Sequence, residues 1–413
     1  MKLRRRKKNR YGRCVEPALT VRRLESILGK KYDYWIHEEQ VAPGLFWSAL
    51  FIDNMDFRAM GKGVDAMQSR AGALAETAEW LISLPVEKLP GYVAARQDEL
   101  ERPLPIENLL PHIANATPPV LERIKSLDCA RHWVDGYSLL DGRRLKVPIK
   151  YLRLIHGPNG RAAGNCLEEA VVHATNEVFE RRVHATILRN RMIMPTIIPE
   201  TIPSPLVRGQ LEFMRAQDIE VTIKDLSFGG VMPCVGAYFK DRAVPPEYQF
   251  HHAFKVGAAF NTGEALVRVF TEYVQGRRRD EFRPRAPEAL ARILKPDFRA
   301  LPAQDNACDN FLSAFMFGFV PYRDAAFLEE GERGPFRPSR GYGDCLGDIN
   351  RARSICRTLG RDYIVVDISD PATGFAVVQV VIPGYSDVLP FHPPSSPALF
   401  ERVQRTDVLN MYA

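Results

Sequence analysis

The chain has 413 residues, 46% of them hydrophobic and 26% charged, which is the make-up of a globular body large enough for one or two cored domains. No run approaches the ~20 apolar residues of a membrane helix. Glu16, Arg22, Arg23 and Glu25 interrupt the place where a signal-peptide core would follow the basic start. The seven cysteines (Cys14, Cys129, Cys166, Cys234, Cys308, Cys345 and Cys356) are widely spaced without a CxxC pair, which predicts reduced thiols in a cytoplasm rather than a disulfide framework or zinc ribbon.

The net charge is +6, yet residues 1–13 alone hold eight Lys or Arg and no acid, so the basic character belongs to a short arm. Such an arm suits phosphates, RNA or an acidic partner. For its first eight residues the expected state is a frayed, solvated terminus. A short amphipathic helix follows over 19–28, then strands within 35–60 and a helix over 65–83 ended by Pro85. Residues 85–130 read as surface helices and loops. Strand-like runs recur at 146–155, 193–198, 219–226, 230–239 and 253–260. Strong helices cover 166–189 and 263–277. A loop-rich, proline-punctuated stretch fills 280–340. A helix at 346–359 leads into strands at 362–368 and 375–383, and a last short helix lies in the tail. This alternation predicts a mixed α/β or α+β body.

The three strong helices repeat one another. The segments GKGVDAMQSRAGALAETAEW, AAGNCLEEAVVHATNEVFER and GAAFNTGEALVRVFTEYVQG align without gaps. One column holds Gln68, Glu169 and Glu264; eight residues on stand Glu76, Glu177 and Glu272; three further on stand Glu79, Glu180 and Gln275. Glycine precedes each helix, at Gly61 and Gly63, at Gly164 and at Gly257. Positions i, i+8 and i+11 share one helix face. A single acidic row is ordinarily a solvated face. Three rows in common register would repel one another unless a cation joined them, and a hard divalent ion takes oxygen ligands alongside substrate phosphates. Arg181 and Arg268 stand beside the rows and suit phosphate oxygens. The expectation is a magnesium–nucleotide site between helices. No GxxxxGK(S/T) or GxGxxG opens any of the helices, so it is built without a glycine phosphate cradle.

These residues resemble the YcaO family, whose nucleotide site is assembled from an SxxxExxER motif, a GNxxxE…ExxER segment and an RxxxExxQ segment. Gly164, Asn165, Glu169, Glu177, Glu180 and Arg181 match the second, and Arg268, Glu272 and Gln275 match the third. NGRAAGN at 159–165 is similar to the family's NGLAAGN, and the strand pair near 365–384 is similar to its closing pair. The first motif departs: Glu76 and Glu79 remain, but Gly72 replaces the serine and Trp80 the arginine.

The resemblance spans roughly 60–386 and implies a YcaO-like ATP-binding fold with three pseudo-repeated helix segments and packed sheets. The corresponding layout is a basic arm at 1–13, a catalytic domain at 14–386 and a tail at 387–413. It implies ATP and Mg2+ as cofactors. Nucleotide would be held by Glu76, Glu79, Asn165, Glu169, Glu177, Glu180, Arg181, Arg268, Glu272 and Gln275. Metal would be held by Glu76, Glu79, Glu169, Glu177, Glu180 and Glu272. A basic residue near the N-terminus also serves nucleotide in the family, and Lys7, Lys8, Arg10 and Arg13 are the candidates here. No catalytic residue is assigned.

The implied chemistry is addition of a nucleophile to an amide carbonyl, transfer of the γ-phosphoryl to the resulting oxygen, and loss of phosphate. A neighbouring Cys, Ser or Thr gives an azoline; sulfide gives a thioamide. Azoline-forming members often end in a PxPxP run, whereas this sequence ends LNMYA with Pro393, Pro394 and Pro397 upstream, and no E1-like or peptide-clamp segment is fused to it. The preferred expectation is sulfur insertion into a peptide or small-molecule amide or nucleobase carbonyl, with a sulfur donor or TfuA-like partner. The alternative is an azoline cyclodehydratase working with a separate peptide-binding protein. The family also implies a homodimer. A non-catalytic nucleotide-binding accessory protein is a reading of another class. An RNA binder using the arm is a third, which no RNP-like or HTH pattern supports.

Other residues carry their ordinary readings: Cys166 a small buried thiol rather than a persulfide carrier, Lys62 a solvated loop lysine, His251 and His252 surface residues, and Trp80 a packed side chain. His173, in the column of Gly72 and Arg268, is read either way, facing the site or packing against a neighbouring helix. Cys129 and His132 form one CxxH pair without a second, so no metal is expected there.

Overall fold

The computed structural model describes residues 1–109, 118–245, 251–275, 277, 279, 282, 288, 325–339 and 341–386. The tail at 387–413 with its predicted helix, Cys308, and most of the 280–340 stretch lie outside the described residues. The chain divides into two compact units: one from 1–5, 82–178 and 349–413, the other from 6–81 and 179–348.

The first unit holds α3 (Pro118–Ser126), α4 (Ile149–His156) and strands β4 (Val93–Ala94), β5 (His132–Ser138), β6 (Arg144–Pro148), β7 (Arg161–Gly164), β13 (Ile364–Asp367) and β14 (Ala376–Val381). Its sheet runs β4-β5-β13-β14-β7, with β6 paired to β5. The predicted closing strand pair is β13 and β14, antiparallel with Val365 opposite Val380. Its valines are fully buried, as near-continuous apolar strands covered on both faces must be. The run expected as a strand at 146–155 divides at Pro148: β6 ends there and Ile149, Leu152 and Ile155 bury one side of α4 at helical spacing.

The second unit holds α1 (Pro17–Leu28), α2 (Ala66–Leu81), α6 (Pro205–Ala216), α7 (Thr262–Val274) and α8 (Ala326–Glu329). One sheet is β1 (Tyr34–Ala42), β2 (Leu45–Ile52) and β3 (Arg58–Gly63) in that order. The other joins β8 (Thr196–Ile197), β9 (Ile219–Asp225), β10 (Cys234–Asp241), β11 (His252–Ala258) and β12 (Arg333–Gly334) in the order β11-β10-β9-β8-β12. A core of Leu45, Trp47, Val207, Ile223, Phe239, Val269 and Phe270 lies between strands and helices. Two further helices cross the division of the chain: α5 (Leu167–Asn190) passes to the second unit at Phe179, and α9 (Cys345–Thr358) passes to the first at Ile349.

Lys224 ties this second sheet together. It is 1% exposed, and its ammonium donates to Thr196 Oγ1 at 2.8 Å, to Met194 O at 3.2 Å and to Glu330 O. Lys224→Met leaves buried acceptors unsatisfied and should destabilise the protein by about 2–3 kcal/mol in chemical unfolding. An unchanged midpoint would show that water replaces the ammonium.

The arm is docked, contrary to the expectation of a frayed terminus. In the first unit Arg4 N donates to Glu168 Oε1 at 2.6 Å. In the second, Lys8 N donates to Gly343 O, Cys345 N donates to Arg6 O, and Lys8 Nζ meets Asp348 Oδ2 at 2.6 Å with both side chains buried. Burial pushes the Asp348 carboxyl up, and the Lys8 ammonium opposes that shift. Backbone pairing plus a buried counter-ion outweighs the solvation of the arm's other charges.

Candidate nucleotide site

Strand–helix pairs within each unit share one device. Gly61 on β3 lies so close to α2 that a Cβ there would fall 1.9 Å from Ser69 O. A Cβ on Gly257 of β11 would fall 2.3 Å from Ala265 O of α7, and one on Gly164 of β7 would fall 2.5 Å from Ala170 N of α5. Ser69, Ala170 and Ala265 occupy one column of the sequence repeat. Glycine in each strand lets the following helix cross at backbone contact, which sets the height of each acidic row above its strand.

In the second unit those rows meet strand amides. Met60 N donates to Glu76 Oε2 at 2.8 Å, and Ala258 N donates to Glu180 Oε2 at 3.2 Å. Burial raises the Glu76 carboxyl above the ordinary range; the Met60 amide, Lys62 and Arg58 pull it back. Lys62 on β3 pairs with Glu272 of α7. Burial lowers the Lys62 ammonium to about 8, opposed by Glu180 and Glu76 and reinforced by Arg268 and Arg181. Its neighbour on β11, Lys255, is lowered to about 7, again by burial first and then by Lys62, Arg277 and Arg181. Glu76, Glu180, Glu272, Arg181 and Arg268 therefore act on one ammonium. Lys62 is a strand residue inside this cluster rather than a solvated loop lysine. The sequence signal that could have found it is the Gly-Lys-Gly run itself, which confines the lysine between two glycines packed on α2.

Glu79 is half-buried one turn beyond Glu76. Gln275 does not continue the face of α7. The helix closes at Val274 and Gln275 takes extended ψ as its C-cap. Arg277 ends it, donating N to Val274 O and Nε to Tyr273 O, both at 3.0 Å, in place of a further helical turn. In the first unit, Asn165 donates its side-chain amide at 3.0 Å and its backbone N–H at 3.3 Å to Glu169 Oε1, which fixes a buried carboxylate at the start of α5. Glu177 lies two turns along the same helix, half-buried. Cys166 is half-buried rather than buried.

The arm contributes a turn beside two of the helix starts. Asn9 Oδ1 accepts from Tyr11 N and Arg13 N, Tyr11 Oη donates to Asp65 Oδ2 at 2.6 Å, and a Cβ on Gly12 would meet Glu264 Oε2 at 2.6 Å. Of the four basic candidates, Lys8 is paired with Asp348. His251 and His252 are 6% and 5% exposed, not surface residues: His252 Nδ1 meets Tyr238 Oη and His251 Nδ1 meets Val244 O. Cys129 is buried, which raises its thiol to about 11, and His132 is engaged with Tyr92 and Asp128, so the CxxH pair is structural.

Among the described residues no three His, Cys, Asp or Glu side chains form a ready-made metal cage. Magnesium ordinarily takes one or two carboxylates plus phosphate oxygens and water rather than an all-protein shell. A Glu76 carboxyl made costly by burial, and an ammonium at Lys62 acted on by the guanidinium groups of Arg181 and Arg268, fit metal and polyphosphate together: a cation relieves the first and an anion the second.

Comparison with known proteins places this arrangement. The chain is 30% identical over 138 residues to the Escherichia coli ribosomal protein S12 methylthiotransferase accessory factor YcaO, a match covering 33% of this chain and 23% of that protein, so it spans about a quarter of that relative's length. A heterocyclase in complex with substrate and cofactor has a similar fold, with TM-score 0.70 and 19% identity over 93% of this chain and 54% of that one, about half the heterocyclase. YcaO from Methanopyrus kandleri bound with AMPPCP and Mg2+ aligns with TM-score 0.60 and 18% identity over 93% and 96% of the two chains. The mixed helix-and-sheet fold is the one they share. A family model covers residues 60–386, nearly all of the described body after β2, and by that match the chain belongs to the YcaO cyclodehydratase family, which binds ATP and Mg2+.

Proposed function

We propose that the protein activates an amide carbonyl by ATP- and Mg2+-dependent phosphorylation so that sulfur replaces the oxygen, giving a thioamide or thionucleobase-type product. The observation carrying the amide-activating reading is the convergence of Glu76, Glu180 and Glu272 with Arg181 and Arg268 around one ammonium in the second unit. Bound magnesium–ATP supplies a phosphoryl group that turns the amide oxygen into a leaving group. The chain's own residues supply charge and position. Glu76 and Glu180, steadied by backbone amides, present oxygens to the metal, as would Glu79, Glu272, Glu169 and Glu177. Arg181 and Arg268 neutralise phosphate oxygens, with Asn165 and Gln275 as polar contacts. The likeness to an accessory factor of a ribosomal-protein methylthiotransferase and to a heterocyclase bound to substrate supports a peptide or protein as the amide-bearing substrate, and sulfur insertion adds a sulfur donor as partner.

ATP turnover measured with and without a candidate amide and sulfide tests the reading. Sulfide-dependent turnover with an oxygen-to-sulfur mass exchange is the expected result. Loss of water from the substrate instead assigns an azoline cyclodehydratase. No turnover with intact nucleotide binding assigns a non-catalytic accessory protein. Arg268→Ala should weaken ATP binding roughly 10–100-fold, the equivalent of the ~1.5–3 kcal/mol of a charge-assisted hydrogen bond. Equal affinity in a calorimetric titration would reduce Arg268 to an i,i+4 partner of Glu272.

A further inference from the structure

The first acidic motif lacks the hydroxyl and the guanidinium expected at positions 72 and 80, where Gly72 and Trp80 stand. The structure shows what lies against the first of these positions. A Cβ on Gly72 would lie 3.1 Å from Gly61 Cα and 3.5 Å from Lys62 N, so the missing side chain is traded for close approach of β3 to α2. Gly61 and Gly63 turn toward α2, and strand alternation turns Lys62 off that face. Its ammonium pairs with Glu272 of α7 and lies within the field of Glu180, Glu76, Arg268 and Arg181.

We propose that Lys62 is a polyphosphate-facing cation of this site, additional to Arg181 and Arg268, and that it rests on Glu272 until metal takes that carboxylate. Without metal, the carboxylates that act on Lys62 need a counter-ion, and its ammonium is paired with Glu272. When magnesium reaches Glu272, the ammonium is released from it. The flexible four-carbon stem then carries the charge to the nearest anion, a phosphate oxygen. The lysine thus competes with metal for Glu272 and cooperates with metal in holding nucleotide. The proposal rests on the ATP reading above and adds a residue to it.

The two roles have opposite signs, which makes the test specific. The full-length chain and its Lys62→Met and Lys62→Arg variants are titrated calorimetrically, first with Mg2+ alone and then with ATP at saturating Mg2+. Lys62→Met should bind ATP at least about tenfold more weakly, as loss of a charge-assisted contact predicts. It should bind Mg2+ alone more tightly, because Glu272 is no longer occupied. Lys62→Arg should restore most of the ATP affinity. Thermal melting of the Lys62→Met variant should gain more from added Mg2+ than the wild-type protein gains. Unchanged ATP affinity in Lys62→Met beside normal wild-type binding overturns the proposal and leaves the nucleotide site standing. Weaker binding of both ligands also overturns it, since a merely structural lysine damages both. Absence of ATP binding by the wild-type protein overturns the underlying reading as well.

Discussion

Glu180→Gln is expected to cut ATP hydrolysis at least about 10²-fold while leaving the protein folded. The carboxylate sits on the second unit's share of α5, accepting from Ala258 N at 3.2 Å. Glutamine keeps an acceptor for that amide and removes the negative charge that a magnesium–phosphate complex requires. Glu76→Gln should behave alike, since its amide oxygen still accepts from Met60 N. The Glu76 variant carries a second signature. Its carboxyl is raised above the ordinary range by burial, so across that interval the folded protein holds more protons than the unfolded chain. Wild-type stability then falls as pH rises through the folded pKa, and at neutral pH the ligand-free Glu76→Gln protein should melt at a higher temperature than wild type. Loss of turnover joined to a gain in ligand-free stability marks a site whose charges are arranged for a ligand. Retained turnover in both variants would remove these carboxylates from the metal site.

Gly61→Ala is expected to cost about 3 kcal/mol or more of stability and to impair nucleotide binding with it. The new methyl would fall 1.9 Å from Ser69 O and 2.3 Å from Ala73 N, both backbone atoms of α2, so no rotamer change relieves it. The helix must move off β3, and that movement separates Glu76 from Met60 N and displaces Lys62. Gly209→Ala is the control with the opposite sign. It lies within α6, has nothing within 4 Å of its Cβ, and should stabilise by about 0.5–1 kcal/mol through helix propensity. If both variants melt together with wild type, the strand–helix crossing is looser than backbone contact.

The helices and glycines that frame the candidate site are legible in the sequence. The acidic rows lie on α2, α5 and α7, close to the predicted spans, because a helix repeats every 3.6 residues whatever surrounds it. The preceding glycines were visible too, and their common purpose emerges only from the Cβ contacts they avoid. Residues 149–156 misled because a short apolar run is ambiguous between strand and helix, and the division at Pro148 resolves it. The end of α7 falls short of the expected 277 because Arg277 satisfies the last carbonyls and Gln275 becomes the C-cap. His251 and His252 were taken for surface residues because a polar pair at a strand start gives no sign of the buried Tyr238 and Val244 groups that receive it.

Local periodicity was enough to locate the acidic helices and the glycines ahead of them, since each depends on neighbours within one or two turns, and the family follows from the resemblance of the motifs they carry. The company each side chain keeps was beyond its reach. Lys62 on Glu272, Glu180 on Ala258 N and Lys8 on Asp348 join residues 78 to 340 positions apart. Such pairings depend on how closely a strand and a helix may approach, on which charges burial strips of water, and on where the chain returns, and these are properties of the packed molecule rather than of any segment.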